Sequence, residues 1–179
     1  MAKFEALPTI AIDPMDTMLR TQHLPELVHL TDSALSVMTD FTKIAPHTIR
    51  PESTMDEAIY EMKASGVHLL LVINDEGHFR GIISSEDVLG EKPIQLLQER
   101  RIPRNQILVN MIMVPFSEIT AIDMNVIETA RVGNIVKTLS EKGQHYALAV
   151  SPQSDSAAQI ICGIFTTTQI SNQLHAEIG

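Results

Sequence analysis

Apolar residues recur at helical spacing through "TMDEAIYEMKASG", where Met55, Ala58, Ile59 and Met62 fall on one face. Ser53 or Thr54 caps this predicted helix, Asp56 and Glu57 favour its N-terminal dipole end, and Gly66 closes it. The pattern then becomes nearly continuous: "VHLLLVIND" predicts a strand buried on both faces. "DEG" turns the chain and "HFRGIIS" returns as a second strand. Helical spacing resumes in "SEDVLGEKPIQLLQERR", with Gly90 and Pro93 as break points. Upstream, "DSALSVMTDF" predicts a helix capped by Asp32 or Ser33, with Leu35 and Met38 on a shared face, and "HTIRP" a short strand.

The same order recurs. "NMIMVPF" echoes "SVMTDF", "SEITAID" supplies the short strand, and "VGNIVKTLSEKG" the helix. "HYALAV" is the buried strand, and "QIICGIFTTTQIS" the return strand running into a helix. Gly66 and Gly143 stand 77 residues apart, as do His68 and His145, while Gly81 and Gly163 stand 82 apart. The five extra residues fall in the polar turn "SPQSDSAAQ", where an insertion is tolerated. A β-α-β-β-α unit therefore occurs twice. One unit of this size is marginal alone, so the two should share an interface. Residues 1 to about 32 carry Pro8, Pro14 and Pro25 and no sustained period. They predict an extended arm packed through Leu24, Leu27, Val28 and Leu30.

Composition narrows the function classes. With 44% hydrophobic and 20% charged residues, the chain reads as an ordinary globular protein. Aromatics make up only 4%, so the core must be built from Ile, Leu, Val and Met. A net charge of −9 would repel a phosphate backbone, so nucleic acid is not an expected partner. The single Cys162 excludes an intrachain disulfide framework and fits a reducing compartment. Glu5, Pro8 and Asp13 interrupt any signal-peptide core, and no apolar run of about 18 residues exists to span a membrane. A cytoplasmic location is the expectation.

The stretch "GHFRGIISSEDVL" poses the chemical question: an apolar strand ends in two hydroxyls and two carboxylates. Either this cluster caps the next helix or it holds a ligand. Together with "SVMTDF" and "TIRPESTMDEAIYEMKASGVHLLLVIND", and with the weaker second copy, it resembles the CBS domain (named after cystathionine β-synthase) in its tandem pair, the Bateman module. The resemblance spans roughly residues 34 to 175. It implies an α/β (α+β) fold of two β-α-β-β-α repeats packed with pseudo-two-fold symmetry behind the arm. The arm is residues 1–33, repeat 1 with its connector 34–104, and the degenerate repeat 2 105–179. It also implies regulation, through an adenosine-containing ligand such as AMP, ADP, ATP or S-adenosylmethionine.

In that family a Gly-apolar-apolar-Ser/Thr-x-x-Asp signature closes the adenosine site, and Gly81-Ile82-Ile83-Ser84-Ser85-Glu86-Asp87 matches it in full. A carboxylate accepts hydrogen bonds from vicinal ribose hydroxyls, and a hydroxyl at the helix start can bond a sugar or phosphate oxygen. By the same resemblance Ser84 and Asp87 bind ribose, while Thr39, Ile44, Ala45, Val67 and His68 shape the base pocket. The second copy reads Gly163-Ile164-Phe165-Thr166-Thr167-Thr168-Gln169, with a neutral amide in place of the carboxylate and Val114 in place of Thr39. The expectation is one adenosine site per chain.

The plain alternatives are structural. Ser84 and Asp87 form a capping cluster, and "ERRIPR" is a solvated connector unless Arg100, Arg101 or Arg104 meets a ligand phosphate or an acidic partner. Seven histidines show no i,i+4 pair with a carboxylate partner, so neither a metal nor a cofactor is expected. No phosphate loop, nucleophile elbow or spaced His with Cys or Ser argues for an enzyme. The leading expectation is a stand-alone adenine-nucleotide sensor that acts on a regulated protein partner, without catalysis. The alternative is a ligand-free scaffold or dimerisation module. Apolar helix positions Val88, Leu89, Ile170 and Leu174 predict a homodimer.

Overall fold

Local chemistry fixes the first body. Thr54 and Glu57 make a reciprocal capping box at the start of a helix over Met55–Ser65, with Thr54 N donating to Glu57 Oε2 at 2.7 Å. Gly66 ends it at φ +66°, a left-handed conformation that a Cβ disfavours, and Gly143 does the same for the repeat-equivalent helix at φ +61°. The computed structural model describes residues 27–154 and 158–174, together with Ala11 and Met15. In chain order the elements are β1 (Thr39–Asp40), β2 (Thr48–Ile49), α1 (Met55–Ser65), β3 (Leu69–Ile73), β4 (Phe79–Ser84), α2 (Ser85–Leu89), α3 (Glu91–Gln98), α4 (Val109–Ile112) and β5 (Val114–Pro115). They continue with β6 (Ala121–Asp123), α5 (Met124–Ile127), α6 (Val132–Lys142), β7 (Tyr146–Pro152), β8 (Gln159–Thr166) and α7 (Thr167–Gln173).

Two four-stranded sheets result, in the orders β2-β3-β4-β5 and β1-β8-β7-β6. The leading strands are exchanged. β1, from the first copy, pairs antiparallel with β8 of the second, and β5, from the second copy, pairs antiparallel with β4 of the first. The sequence repeats 34–104 and 105–179 thus trade their leading segments: Ala34, Val37 and Met38 pack in the second body, and Ile107, Val109 and Ile112 in the first.

Side-chain alternation builds the layers. Leu70, Val72 and Ile83 face the helices of the first body, and Ala147, Ala149 and Phe165 those of the second. The opposite faces meet between the sheets through Leu71, Ile82, Leu148, Val150 and Ile164, all buried. This shared core is why one repeat needs the other. The result is a mixed α+β fold with pseudo-two-fold symmetry, as expected.

Several local expectations are corrected. The "ALSV" segment is a single 3-10 turn capped by Ser33, and it buries Ala34, Val37 and Met38 while Leu35 is exposed. One turn is too short for a 3.6-residue stripe. Pro93 does not break α3: it lies in the first turn, where its missing N–H would have no helical partner, and Gly90 alone separates α2 from α3. Of the arm, Val28 is buried and bonded to the Gln173 carbonyl, whereas Leu27 and Leu30 are exposed. Leu24 and most of residues 1–33 lie outside the described residues, as do His23 and His175. Val88, Ile170 and Leu174 are consumed within the chain's own cores, so of the four positions expected to face a second copy only Leu89 is exposed. Among the described residues, no helix is long and apolar enough to cross a membrane.

Candidate functional site

The role of "SSED" begins with a cap. Ser84 ends β4 and starts α2, its hydroxyl accepting from Asp87 N at 3.3 Å. Asp87 Oδ2 accepts from both Ser84 N and Ser84 Oγ at 2.8 Å. The structural reading of the cluster is therefore realised. It does not exhaust Asp87, because a carboxylate offers about four acceptor positions, and Oδ1 has no partner among the described residues.

Ser84 opens onto a cleft of about 560 Å³ where the two repeats meet. Val67, His68, Ser84 and Glu86 contribute one side, and His145, Tyr146 and Thr166–Gln169 the other. Repeat-equivalent positions line the cleft from both sides: His68 and His145, Ser84 and Thr166. Within each repeat one bond holds the strand start beside the helix start, from the Ser85 amide to the His68 carbonyl and from the Thr167 amide to the His145 carbonyl, each at 2.9 Å.

The exchange of leading strands redistributes the predicted site. Val67, His68 and Ser84 line one cleft, with Asp87 bonded to Ser84 behind it. Thr39 is not gathered with Asp87; its Oγ1 donates to Gln169 Oε1 at 2.8 Å, across 130 residues of sequence. Ile44 and Ala45, in the connection from β1 to β2, are exposed and do not line the cleft. What stands opposite Ile82 in repeat 1 is Val114, on the exchanged strand β5.

Gln169 is tied into a relay. Its Nε2 donates to Gln173 Oε1 at 3.4 Å, and Gln173 Nε2 donates to the Ser36 carbonyl at 3.2 Å. The amide that replaces the family carboxylate thus fastens α7 to the segment leading into β1.

Tyr146, which sequence reading passed over, stands in the wall near Asp87. Its hydroxyl is held in the neutral form, first by burial and then by the carboxylates of Asp87, Glu86 and Glu118. Gln144 anchors the loop carrying Glu118, accepting from Thr120 N and donating to the Glu118 carbonyl. The 77-residue repeat spacing marks His145, but nothing in the sequence marks Tyr146 or Glu118. The connector cations stay away from the cleft. Arg104 pairs with Asp56 at 3.2 Å on the outside of α1. Among the described residues no cluster of three His, Cys, Asp or Glu side chains could hold a metal ion.

Residues 35–93 match the model of the CBS domain. No curated protein matches the chain by sequence. An uncharacterized conserved protein from Pyrococcus horikoshii shares 20% identity at a TM-score of 0.56, over 80% of this chain and 92% of its own. The CBS-pair protein CBSX2 from Arabidopsis thaliana is similar at 20% identity and TM-score 0.52, over 78% and 92%. CBSX2 has also been solved in complex with AMP, and that structure is similar at 19% identity and TM-score 0.53, over 78% and 93%.

Proposed function

We propose that this chain, whose residues 35–93 match the CBS domain and whose fold is similar to that of CBS-pair proteins, is a regulatory module that binds an adenosine ligand. The observation that carries this reading is the composite cleft. A capped strand end presents the Ser84 hydroxyl and the rings of His68, His145 and Tyr146 along one opening, and the Asp87 carboxylate, bonded to Ser84 behind it, keeps one oxygen without a protein partner among the described residues. The likeness to CBSX2, a protein solved with AMP, supports it. The ribose bonds Ser84 and Asp87 and the base lies among Val67, His68 and the aromatic wall. Thr39, Ile44 and Ala45 serve the other half of the module, around Gln169.

Binding here bridges two repeats, so a ligand that prefers one relative arrangement shifts the module toward it. The module acts without catalysis, in the cytoplasm, by changing its contacts with a protein partner. It does so as a homodimer through the exposed Leu89, Ile94 and Leu97. A mass near 20 kDa by light scattering at micromolar concentration would refute the dimer.

Calorimetry with AMP on two variants tests the site. Asp87→Ala removes a charge-assisted acceptor worth about 1.5–3 kcal/mol and should weaken AMP roughly 10- to 150-fold. Gln169→Ala should leave affinity nearly unchanged. Equal losses in the two variants, or two equivalent ligands per chain, would overturn the one-site reading. A second reading, a ligand-free scaffold, draws on the fact that Asp87 and Gln169 both have partners within the chain. A thermal-shift panel of AMP, ADP, ATP, NAD and S-adenosylmethionine separates the two. A ligand at 100 times its dissociation constant raises stability by about 2.7 kcal/mol, whereas a scaffold gives a flat response.

A further inference from the structure

The cleft is poor in the groups that hold polyphosphates. Among the described residues lining it, His68 and His145 are the only basic ones; no Lys or Arg contributes, and Glu86 stands exposed at its edge. Arg104 and Lys92 are engaged away from it, Arg104 on Asp56 and Lys92 Nζ on the carbonyls of Ile112 and Met113.

Backbone donors are equally scarce. In α2 the Ser85 amide is bonded to the His68 carbonyl and the Asp87 amide to Ser84 Oγ. In α7 the Thr167 amide is bonded to the His145 carbonyl and the Gln169 amide to Thr166 Oγ1. Each first turn keeps only its middle amide for a ligand, and in α2 that amide belongs to Glu86 itself. Glu86, Asp87 and Glu118 all lie close enough to Tyr146 to help keep its hydroxyl protonated, so the local field is negative.

We propose that this cleft selects adenosyl compounds of low negative charge, the nucleoside and its monophosphate, over the di- and triphosphates, and that Glu86 sets the preference. The inference rests on the adenosine reading of the cleft and adds its charge selectivity. Like Asp87, Glu86 has a neutral repeat equivalent, Thr168, and of the two it is Glu86 that lines the cleft. One carboxylate about 8 Å from an added phosphate charge disfavours it by about a factor of two in water of low ionic strength, and salt erodes the effect within a Debye length. With two further carboxylates nearby, each phosphate beyond the first should weaken binding roughly two- to fivefold.

Calorimetric titration of the full chain with adenosine, AMP, ADP and ATP, free of divalent metal and at two salt concentrations, reads this out. Affinity should fall from AMP to ATP, and the ratio should shrink as salt rises. Glu86→Lys should abolish or invert the AMP-to-ATP ratio and move adenosine itself by less than twofold. Glu86 is exposed but sits in the first turn of α2, so charge reversal should bring only a small fall in melting temperature that leaves the chain folded. Glu86→Gln should reduce the ratio by an intermediate amount. If ATP binds the wild-type chain as tightly as AMP, or if Glu86→Lys leaves the ratio unchanged, the selectivity is refuted while the adenosine reading stands. Absence of binding by all four compounds overturns both.

Discussion

The exchange of leading strands makes a sharp demand on two glycines. A Cβ at Gly81 would lie 2.3 Å from the Val114 carbonyl oxygen, 3.2 Å from Pro115 Cα and 3.2 Å from Met113 Sδ. The nearest obstacle is backbone, so no rotamer change relieves it. β5 is only two residues long and meets β4 through Gly81↔Pro115 and Ile82↔Val114. Gly81→Ala must therefore push β5 outward. Overpacking costs about 1–3 kcal/mol, and a weakened ladder hydrogen bond about 0.5–1.5 kcal/mol more. The sum, about 2–4 kcal/mol, corresponds to a fall in Tm of roughly 5–15 °C for a chain of this size. At the repeat-equivalent Gly163 the new Cβ would meet Met38 Sδ and the Thr39 carbonyl at 2.9 Å. The methionine can turn and the strand need shift only by tenths of an ångström, so Gly163→Ala should cost about half as much. Thermal melts and urea titrations followed by circular dichroism rank the two variants. If Gly81→Ala melts within 1 °C of wild type, or if Gly163→Ala is the more damaging, the exchanged packing is wrong.

Three further outcomes follow from individual contacts. Thr39→Val should cost about 0.5–1.5 kcal/mol in urea unfolding, and a double-mutant cycle with Gln169→Leu should be non-additive; strict additivity would dissolve the relay. Met55→Ala, at a fully buried position, should cost about 2–5 kcal/mol, against less than about 0.5 kcal/mol for the exposed Tyr60→Ala, and equal costs would contradict the core assignment. Asp40 accepts from Thr42 Oγ1 at 2.6 Å and Thr42 N at 2.9 Å, which, with Lys43, holds its carboxyl below the ordinary value of 3.8. Its stabilising contribution is present above that value and lost as pH falls through the lower folded one, so Asp40→Asn should flatten the stability-versus-pH curve below about pH 4.

How much of this was legible depends on how local each determinant is. α1 declares itself because its cap, stripe and closing glycine lie within fourteen residues, and β3 because a short continuous apolar run between a glycine and a polar turn fits a strand covered on both faces. The exchange was not legible. β1 and β5 are two residues long, a single period of strand alternation and too short to show a repeat, and only their partners across the molecule define them. The site assignment divided for the same reason. Thr39 is near Ser84 in repeat logic but pairs with β8, the strand that leads into α7 and Gln169. The dimer surface was misjudged because an apolar helix position does not reveal which of two neighbours will cover it; Ile170 and Leu174 are claimed by α6 and the 3-10 turn that exchange brings alongside.

The two halves of the cleft have consequently taken different tasks, although one repeat pattern generates both. In the second copy the amide of Gln169 can accept and donate at once, and it does both within the chain, joining Thr39 to Gln173 and, through Gln173, to the Ser36 carbonyl. A carboxylate there could accept from Thr39 but could not donate onward, so the relay requires the amide. In the first copy the carboxylate of Asp87 closes a cap with one oxygen and keeps the other. Val114, opposite Ile82, offers no hydroxyl to occupy it as Thr39 occupies Gln169. The second half satisfies its amide within the chain, and the first retains an unspent acceptor. On the proposed reading, a ligand at Asp87 would meet one wall already bonded within the chain and one with an acceptor to spare, and such a difference could favour one arrangement of the halves over another.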